Sequence, residues 1–131
     1  MRVLGTYLAG VASAVFMTVA ALPALGEELT LPSGARALVL DVVDGRETGI
    51  GTVWFRYLYQ HEPGVPTDHI TDDARHLCET HALPQTTDDV PDHIVVVLTD
   101  AQIEFGQSDE TVAQFFEVFR PDEGVCIWEA F

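Results

Sequence analysis

The sequence predicts an α+β fold in which one helix packs on a mainly antiparallel sheet of five or six strands, held by one disulfide. Short apolar or alternating segments separated by turn-forming residues are typical of strands. One segment instead has apolar residues at the spacing of a helix. The chain also contains two cysteines, Cys78 and Cys126, an even number that favours a disulfide in an exported protein.

The beginning of the chain indicates export. Arg2 is followed by an uncharged, mostly apolar run over residues 3–22, and residues 24–26 place small side chains at the −3 and −1 positions of a cleavage site. This is the layout of a signal peptide over residues 1–26. The alternative is an N-terminal membrane anchor, because twenty apolar residues can cross a bilayer. We expect cleavage, which leaves a single periplasmic or secreted domain of residues 27–131.

The charge balance restricts the partners. Beyond residue 26 there are five arginines, no lysine and 21 acidic residues, a net charge of −16. This charge argues against nucleic acid and against an anionic membrane surface as partners. It suits a basic protein, a cation, or solubility alone. The acidic residues are scattered along the chain, which is typical of a solvated surface.

The sequence predicts strands in the first half of the domain. Residues 29–31 precede a Pro-Ser-Gly turn, and residues 35–43 form an apolar, β-branched strand. A loop over residues 44–51 leads to a strand over 52–60, which alternates between two faces. The face expected to be buried carries Val53, Phe55, Tyr57 and Tyr59, and the other carries Thr52, Arg56 and Gln60.

The helix is predicted after a loop at 61–68 and ends before Pro84. Its apolar stripe directs Cys78 inward with Ile70, Ala74 and Leu77. An acidic loop follows at 84–92. A central strand buried on both faces is predicted at 93–99, and a tight turn leads from it into the segment 102–106. Residues 111–119 could form a helix or a strand, and their Phe, Val and Thr residues favour a strand. A turn at 121–124 and a final strand at 125–131 complete the domain.

The two cysteines predict a Cys78–Cys126 disulfide, because both lie on inward-facing positions and no CxxC motif indicates a redox pair. Free thiols and metal ligation are the alternatives. The disulfide closes a loop of about 49 residues, worth about 4 kcal/mol in the chain-entropy model. We expect it to hold the end of the chain so that Trp128 is buried beside it.

One candidate metal site lies on the helix. His69, Asp73 and His76 fall within about 60° of each other on the polar face of an ideal helix. Imidazole and carboxylate ligands suit zinc or copper. The competing interpretation is an ordinary polar helix face, because the spacing matches no established metal motif.

Catalytic motifs are absent from the sequence. There is no GxSxG, no phosphate-binding loop and no GxGxxG, and the three serines have no catalytic context. We therefore nominate no catalytic residue, expect no cofactor and predict that the protein is not an enzyme.

Several segments together resemble a small uncharacterised exported family of alphaproteobacteria. They are LPSG at 31–34, LCETHALP at 77–84, EFG at 104–106, QFFEVFR at 114–120 and CIWEAF at 126–131. Some members carry names borrowed from acetolactate synthase, but this chain lacks the length and cofactor-binding pattern of a thiamine-diphosphate enzyme. The resemblance implies no activity and no site residue.

Three functional hypotheses follow. The first is a non-catalytic binding or accessory module, suggested by export, one disulfide and the lack of a catalytic motif. The second is a proteinaceous inhibitor of a basic hydrolase such as a lysozyme, suggested by size and charge. The third is a metal carrier that uses the helical histidines.

Overall fold

The computed structural model describes residues 26–62 and 67–130. The predicted signal segment lies almost entirely outside these residues, as does Phe131. The described chain contains six strands: β1 (Glu28–Thr30), β2 (Arg36–Asp44), β3 (Thr52–Gln60), β4 (His93–Thr99), β5 (Gln114–Asp122) and β6 (Val125–Glu129).

A helical segment, residues 67–86, connects β3 to β4. It consists of a 3₁₀ turn (Thr67–His69), the helix α1 (Ile70–Leu77), a π turn (Cys78–Ala82) and a second 3₁₀ turn (Leu83–Thr86). The helix α1 ends before Pro84, as predicted, and Pro84 lies in the first turn of the last 3₁₀ element. Proline fits there, since the first N–H groups of a helical turn have no partner within it.

The sheet is mixed, with the strand order β1-β2-β3-β4-β5-β6. Strands β3 and β4 are parallel, and the other four pairs are antiparallel. The prediction of a helix on a mainly antiparallel sheet is therefore wrong: the strands form a mixed sheet that curls into a half-barrel. The parallel pair follows from the connection, because a long helical crossover returns the chain to the same end of the sheet.

The main core lies between the helical segment and one face of the sheet. The predicted stripe of α1 is buried there together with Cys78. The predicted face of β3 is buried too, with Val53, Phe55, Tyr57 and Tyr59 each at most 7% exposed. We call this side of the sheet the helix face.

The second half of the chain differs from prediction in two places. Residues 100–113 form a loop, and β5 begins only at Gln114 rather than at residue 111. The turn between β5 and β6 is a two-residue hairpin turn in which Glu123 and Gly124 both have positive φ. Pro121 is accommodated in β5 because the pairing of β5 with β4 stops at Phe119.

The last strand is anchored but not buried. The predicted disulfide between Cys78 and Cys126 is present, with a Cα–Cα distance of 6.3 Å. Trp128, however, is 44% exposed, so its predicted burial is wrong. The reason is that β6 is the edge of the sheet, and no further strand of the described chain covers its side chains.

The helices of the described residues include none with the length and apolar character needed to span a bilayer.

Candidate functional site: the open face of the sheet

The face of the sheet that points away from the helical segment carries the candidate site. Alternation along each strand places one set of side chains on the helix face and the other on this side. We call it the open face. Its central side chains are Trp54 and Arg56 from β3, His93, Val95 and Val97 from β4, Phe116 and Val118 from β5, and Ile127 and Glu129 from β6.

The floor of the open face is a second, small apolar cluster. Val95, Val97 and Val118 are each at most 7% exposed, with Trp54 packed against them. The helical segment of the described residues lies on the other side of the sheet. The shielding of this cluster therefore comes from larger neighbours on the same face and from the loop over residues 100–113. This loop therefore acts as a partial cover of the open face.

Three contacts hold the covering loop against β3. The ring of Phe105 meets that of Trp54 edge-on, with 5.4 Å between the centroids. The guanidinium of Arg56 lies 5.9 Å from the Phe105 centroid and donates a hydrogen bond to the backbone carbonyl of Ile103. Such aromatic and cation–π contacts fix the position of Phe105 rather than leaving it free in solvent.

Large aromatic side chains on this face remain exposed. Phe116 is 57% exposed and Phe105 is 47% exposed, and both adjoin Trp54. We call these three residues the aromatic patch. Exposed aromatic residues that cluster on a rigid surface are typical of binding sites, whereas single exposed apolar residues are ordinary.

A cavity of about 420 Å³ lies beside the patch. We call it the slot. Val95 and Val118 form its floor, and the rings of Trp54 and Phe116 stand at its sides. Its lining residues are Thr52, Trp54, His93, Val95, Phe116, Val118 and Glu129.

At the polar end of the slot, the carboxylate of Glu129 already has partners within the protein. Nε2 of His93 lies 2.8 Å from one carboxylate oxygen of Glu129, and Nε of Arg120 lies 3.4 Å from the other. Both oxygens of Glu129 thus have partners, and its charge is compensated. What remains for a ligand is the apolar floor and the two aromatic walls, an arrangement suited to binding.

A second ion pair borders the open face. Arg56 is nearly fully buried, and its guanidinium lies 2.7 Å from Oδ2 of Asp41. The other carboxylate oxygen of Asp41 has no hydrogen-bond partner among the described residues. This pair offsets the cost of burying the Arg56 charge and holds β2 against β3.

On the helix face, Asp73 is a buried structural acceptor. Its carboxylate accepts hydrogen bonds from the backbone N–H of Ser33 at 3.2 Å, from the Ser33 hydroxyl, and from the hydroxyl of Tyr59 at 2.7 Å. Burial and the hydrogen bond to Asp73 raise the pKa of Tyr59 to about 12. These bonds tie α1 to the β1–β2 turn and to β3.

A second polar contact on the helix face joins Tyr57 to His81. The Tyr57 hydroxyl lies 2.8 Å from Nδ1 of His81 in the π turn. Burial lowers the pKa of His81, because the imidazolium loses hydration there. Burial also raises the pKa of the Tyr57 hydroxyl.

The three residues of the candidate metal site are separated by burial. Asp73, predicted on the polar face of the helix, is fully buried, whereas the His69 side chain is 50% exposed and lies 3.6 Å from Asp68. His76 is half-buried. In residues 26–62 and 67–130, no group of three histidine, cysteine or acidic side chains is placed to hold a metal ion. The metal site stays a prediction.

The sequence analysis did not predict a binding surface on the open face, although one feature of the sequence indicates it. The alternation over residues 52–60 places Trp54 opposite the buried face of β3, on the same side as Arg56. A tryptophan on the second face of a strand indicates that this face is not plain solvent surface. The pairing of His93 with Glu129 could not be predicted from local sequence patterns, because 36 positions separate the two residues.

Comparison with known proteins identifies a family for this chain. The model of a family of unknown function, DUF6497, matches residues 12–131. Neither the curated proteins nor the solved structures yielded a match to this chain.

Proposed function

The chain belongs to the DUF6497 family of unknown function, and on that premise we propose that it is an exported, non-catalytic binding module that takes its partner on the open face. The observation that carries the proposal is the aromatic patch. Trp54, Phe105 and Phe116 lie together on one face, and two of them stay about half exposed.

The two faces of the sheet differ in what they bury, and this difference supports the proposal. The helix face holds the main core, and stability of the domain depends chiefly on it. The aromatic patch adds little to that core while exposing apolar area to water. Burial of such area by a partner is favourable by about 25 cal/mol per Å². Aromatic anchors of this kind contribute most of the free energy in many interfaces.

The rigidity of the patch supports the same proposal. Trp54 and Phe116 stand on β3 and β5, which both pair with β4, and Phe105 is held by Trp54 and Arg56. A surface that is already ordered loses little conformational entropy when it binds. Preorganised apolar side chains on strands are therefore a suitable base for recognition.

Export is supported by the layout of residues 1–26 and by the disulfide. A disulfide persists in oxidising compartments and is rare in reducing ones. The proposal predicts that the exported protein begins at Glu27. Intact mass of the periplasmic fraction tests this, and a full-length chain in the membrane fraction would instead show a retained anchor.

The binding proposal is tested by partner capture with matched variants. Immobilised wild-type protein, Phe116→Ser and Val42→Ser are each exposed to periplasmic extract of the source cell, and retained proteins are identified by mass spectrometry. Val42 is a suitable control, because it is 43% exposed but pairs with Phe55 and so lies on the helix face.

We expect one defined protein to be retained by the wild type and by Val42→Ser, and its retention to fall about tenfold or more with Phe116→Ser. Equal retention by all three proteins would remove the open face as the site. Failure of the wild type to retain any defined protein would count against the binding module itself.

A further inference from the structure

We infer that the slot receives one large uncharged apolar side chain from a basic segment of a partner protein. This inference rests on the proposed function and specifies its partner. Three features of the described residues support it: the apolar lining of the slot, its openness to solvent, and the negative charge around it.

The lining selects an uncharged group. The floor consists of Val95 and Val118, and the walls are the rings of Trp54 and Phe116. At the polar end, Glu129 is paired with His93 and Arg120. A charged group placed in the slot would lose hydration without gaining a free counter-charge, whereas an aromatic or branched aliphatic side chain would lose only apolar hydration.

The shape of the slot favours a side chain delivered by a macromolecule. Phe116 is 57% exposed, so the slot is an open trench rather than an enclosed cavity. Sites for small molecules usually bury about 70–90% of the ligand surface. An open trench cannot do this, but it can hold one anchoring side chain while the rest of a partner covers the neighbouring surface.

The surrounding charge favours a basic partner. Each arginine of the described residues lies within 4.0 Å of a carboxylate, and the chain as a whole has a net charge of −15. The loop over residues 100–113, which borders the aromatic patch, contains four acidic residues and no basic one. This charge attracts lysine and arginine and repels a second copy of the chain.

The inference is tested with four fluorescent peptides of about ten residues, of the length that spans such a face. Two carry lysines around a central phenylalanine or serine, and two carry glutamates around the same central residues. Binding is followed by fluorescence anisotropy at about 50 mM and about 500 mM salt. Contact is located by ¹⁵N NMR of the Trp54 indole N–H, with Trp128 as the internal reference.

We expect the lysine peptide with phenylalanine to bind about tenfold tighter than its serine counterpart, and to shift the Trp54 signal but not that of Trp128. The higher salt should weaken this binding about tenfold, and the glutamate peptides should not bind. A Val118→Phe variant, which fills the slot, should lose the preference for phenylalanine. Ile127→Phe, on the same face outside the slot lining, should keep it.

Equal binding of the two lysine peptides would overturn the inference, because charge alone would then explain it. Equal binding of the two phenylalanine peptides would overturn it as well, because charge would play no part. A Trp54 shift that appears on raising the protein concentration without peptide, together with dimers in sedimentation, would make a second copy the occupant. If Phe116→Ser abolishes partner capture while no peptide prefers phenylalanine, the open face stands as a binding site and the inference about its occupant fails.

Discussion

The carboxylate of Glu79 accepts a hydrogen bond from the backbone N–H of Cys126, with 2.9 Å between Oε2 and the nitrogen. Glu79 lies in the π turn, immediately after Cys78, so two adjacent residues hold the same point of β6. Because β6 is the edge of the sheet in the described part of the chain, this N–H has no neighbouring strand there to bond to. Glu79 therefore also covers part of a free strand edge, which otherwise favours aggregation.

Replacing Glu79 by alanine should destabilise the fold by about 1 kcal/mol, because the N–H of Cys126 loses its acceptor at a partly buried position. Glu79→Gln keeps a carbonyl acceptor and should cost less than half as much. Urea unfolding of the three proteins measures the difference. Equal stability of Glu79→Ala and the wild type would show that the contact contributes nothing.

Removal of the disulfide should have a larger effect. The bond joins residues separated by 48 positions and lies among buried side chains. The Cys78→Ala/Cys126→Ala variant should lose about 2–4 kcal/mol, since the unfolded chain regains the freedom that the bond removes. Thermal melts with and without reductant give the measurement.

In the same thermal melts, the double alanine variant serves as the control for the effect of the reductant. Reductant should lower the melting temperature of the wild type and leave the double alanine variant unchanged. Native wild-type protein should show no thiol that reacts with a labelling reagent, and reactive thiols would contradict a buried bond.

Asp73 and Asp72 are adjacent aspartates with different roles. Asp73 is fully buried and accepts three hydrogen bonds, whereas Asp72 is exposed and pairs with Arg75 at 3.2 Å. Asp73→Asn should cost about 2–4 kcal/mol, because an amide accepts fewer bonds and brings donors that have no acceptor there. Asp72→Asn should cost at most about 0.5 kcal/mol, as for other exposed ion pairs. Comparable losses in denaturant unfolding would show that Asp73 does not clamp the helix.

His81 should make stability depend on pH. Burial lowers its pKa in the folded state, so the neutral imidazole is favoured there. The contribution is present above the unfolded pKa of about 6.5 and is lost as the pH falls through the lower folded value. The urea midpoint of the wild type should therefore fall between about pH 7 and about pH 5.

Carboxylates titrate in the same range, so variants isolate the histidine. His81→Gln should show a smaller fall in midpoint between these two pH values than the wild type. His61→Gln replaces an exposed histidine and should keep the wild-type fall. An identical pH dependence of His81→Gln and the wild type would contradict this role.

Local features of the fold could be predicted from the sequence because each depends on neighbours along the chain. The stripe of α1 and the alternation of β3 are periodic patterns, and a period fixes which side chains share a face. The disulfide could be predicted for a simpler reason: with two cysteines only one intramolecular pairing exists.

The parallel orientation of β4 relative to β3 was not predicted from the sequence. Its continuous apolar run is typical of a strand covered on both faces, and a long helical crossover from β3 makes the two strands parallel. Both signals were present in the sequence, but they determine orientation only in combination. The burial of Asp73 gave no signal, because its acceptor role depends on Ser33 and Tyr59, which lie 40 and 14 positions away.

By itself, the sequence determined the helix, the buried face of β3, the disulfide and the strongly negative charge, all of which follow from residue type and local spacing. Only the tertiary structure decided the mixed sheet, the exposed edge at Trp128 and the slot between Trp54 and Phe116. Trp54 and Phe116 stand on β3 and β5, with β4 between them, so strand order brings them together. Strand order depends on contacts between distant parts of the chain, which local periodicity does not encode.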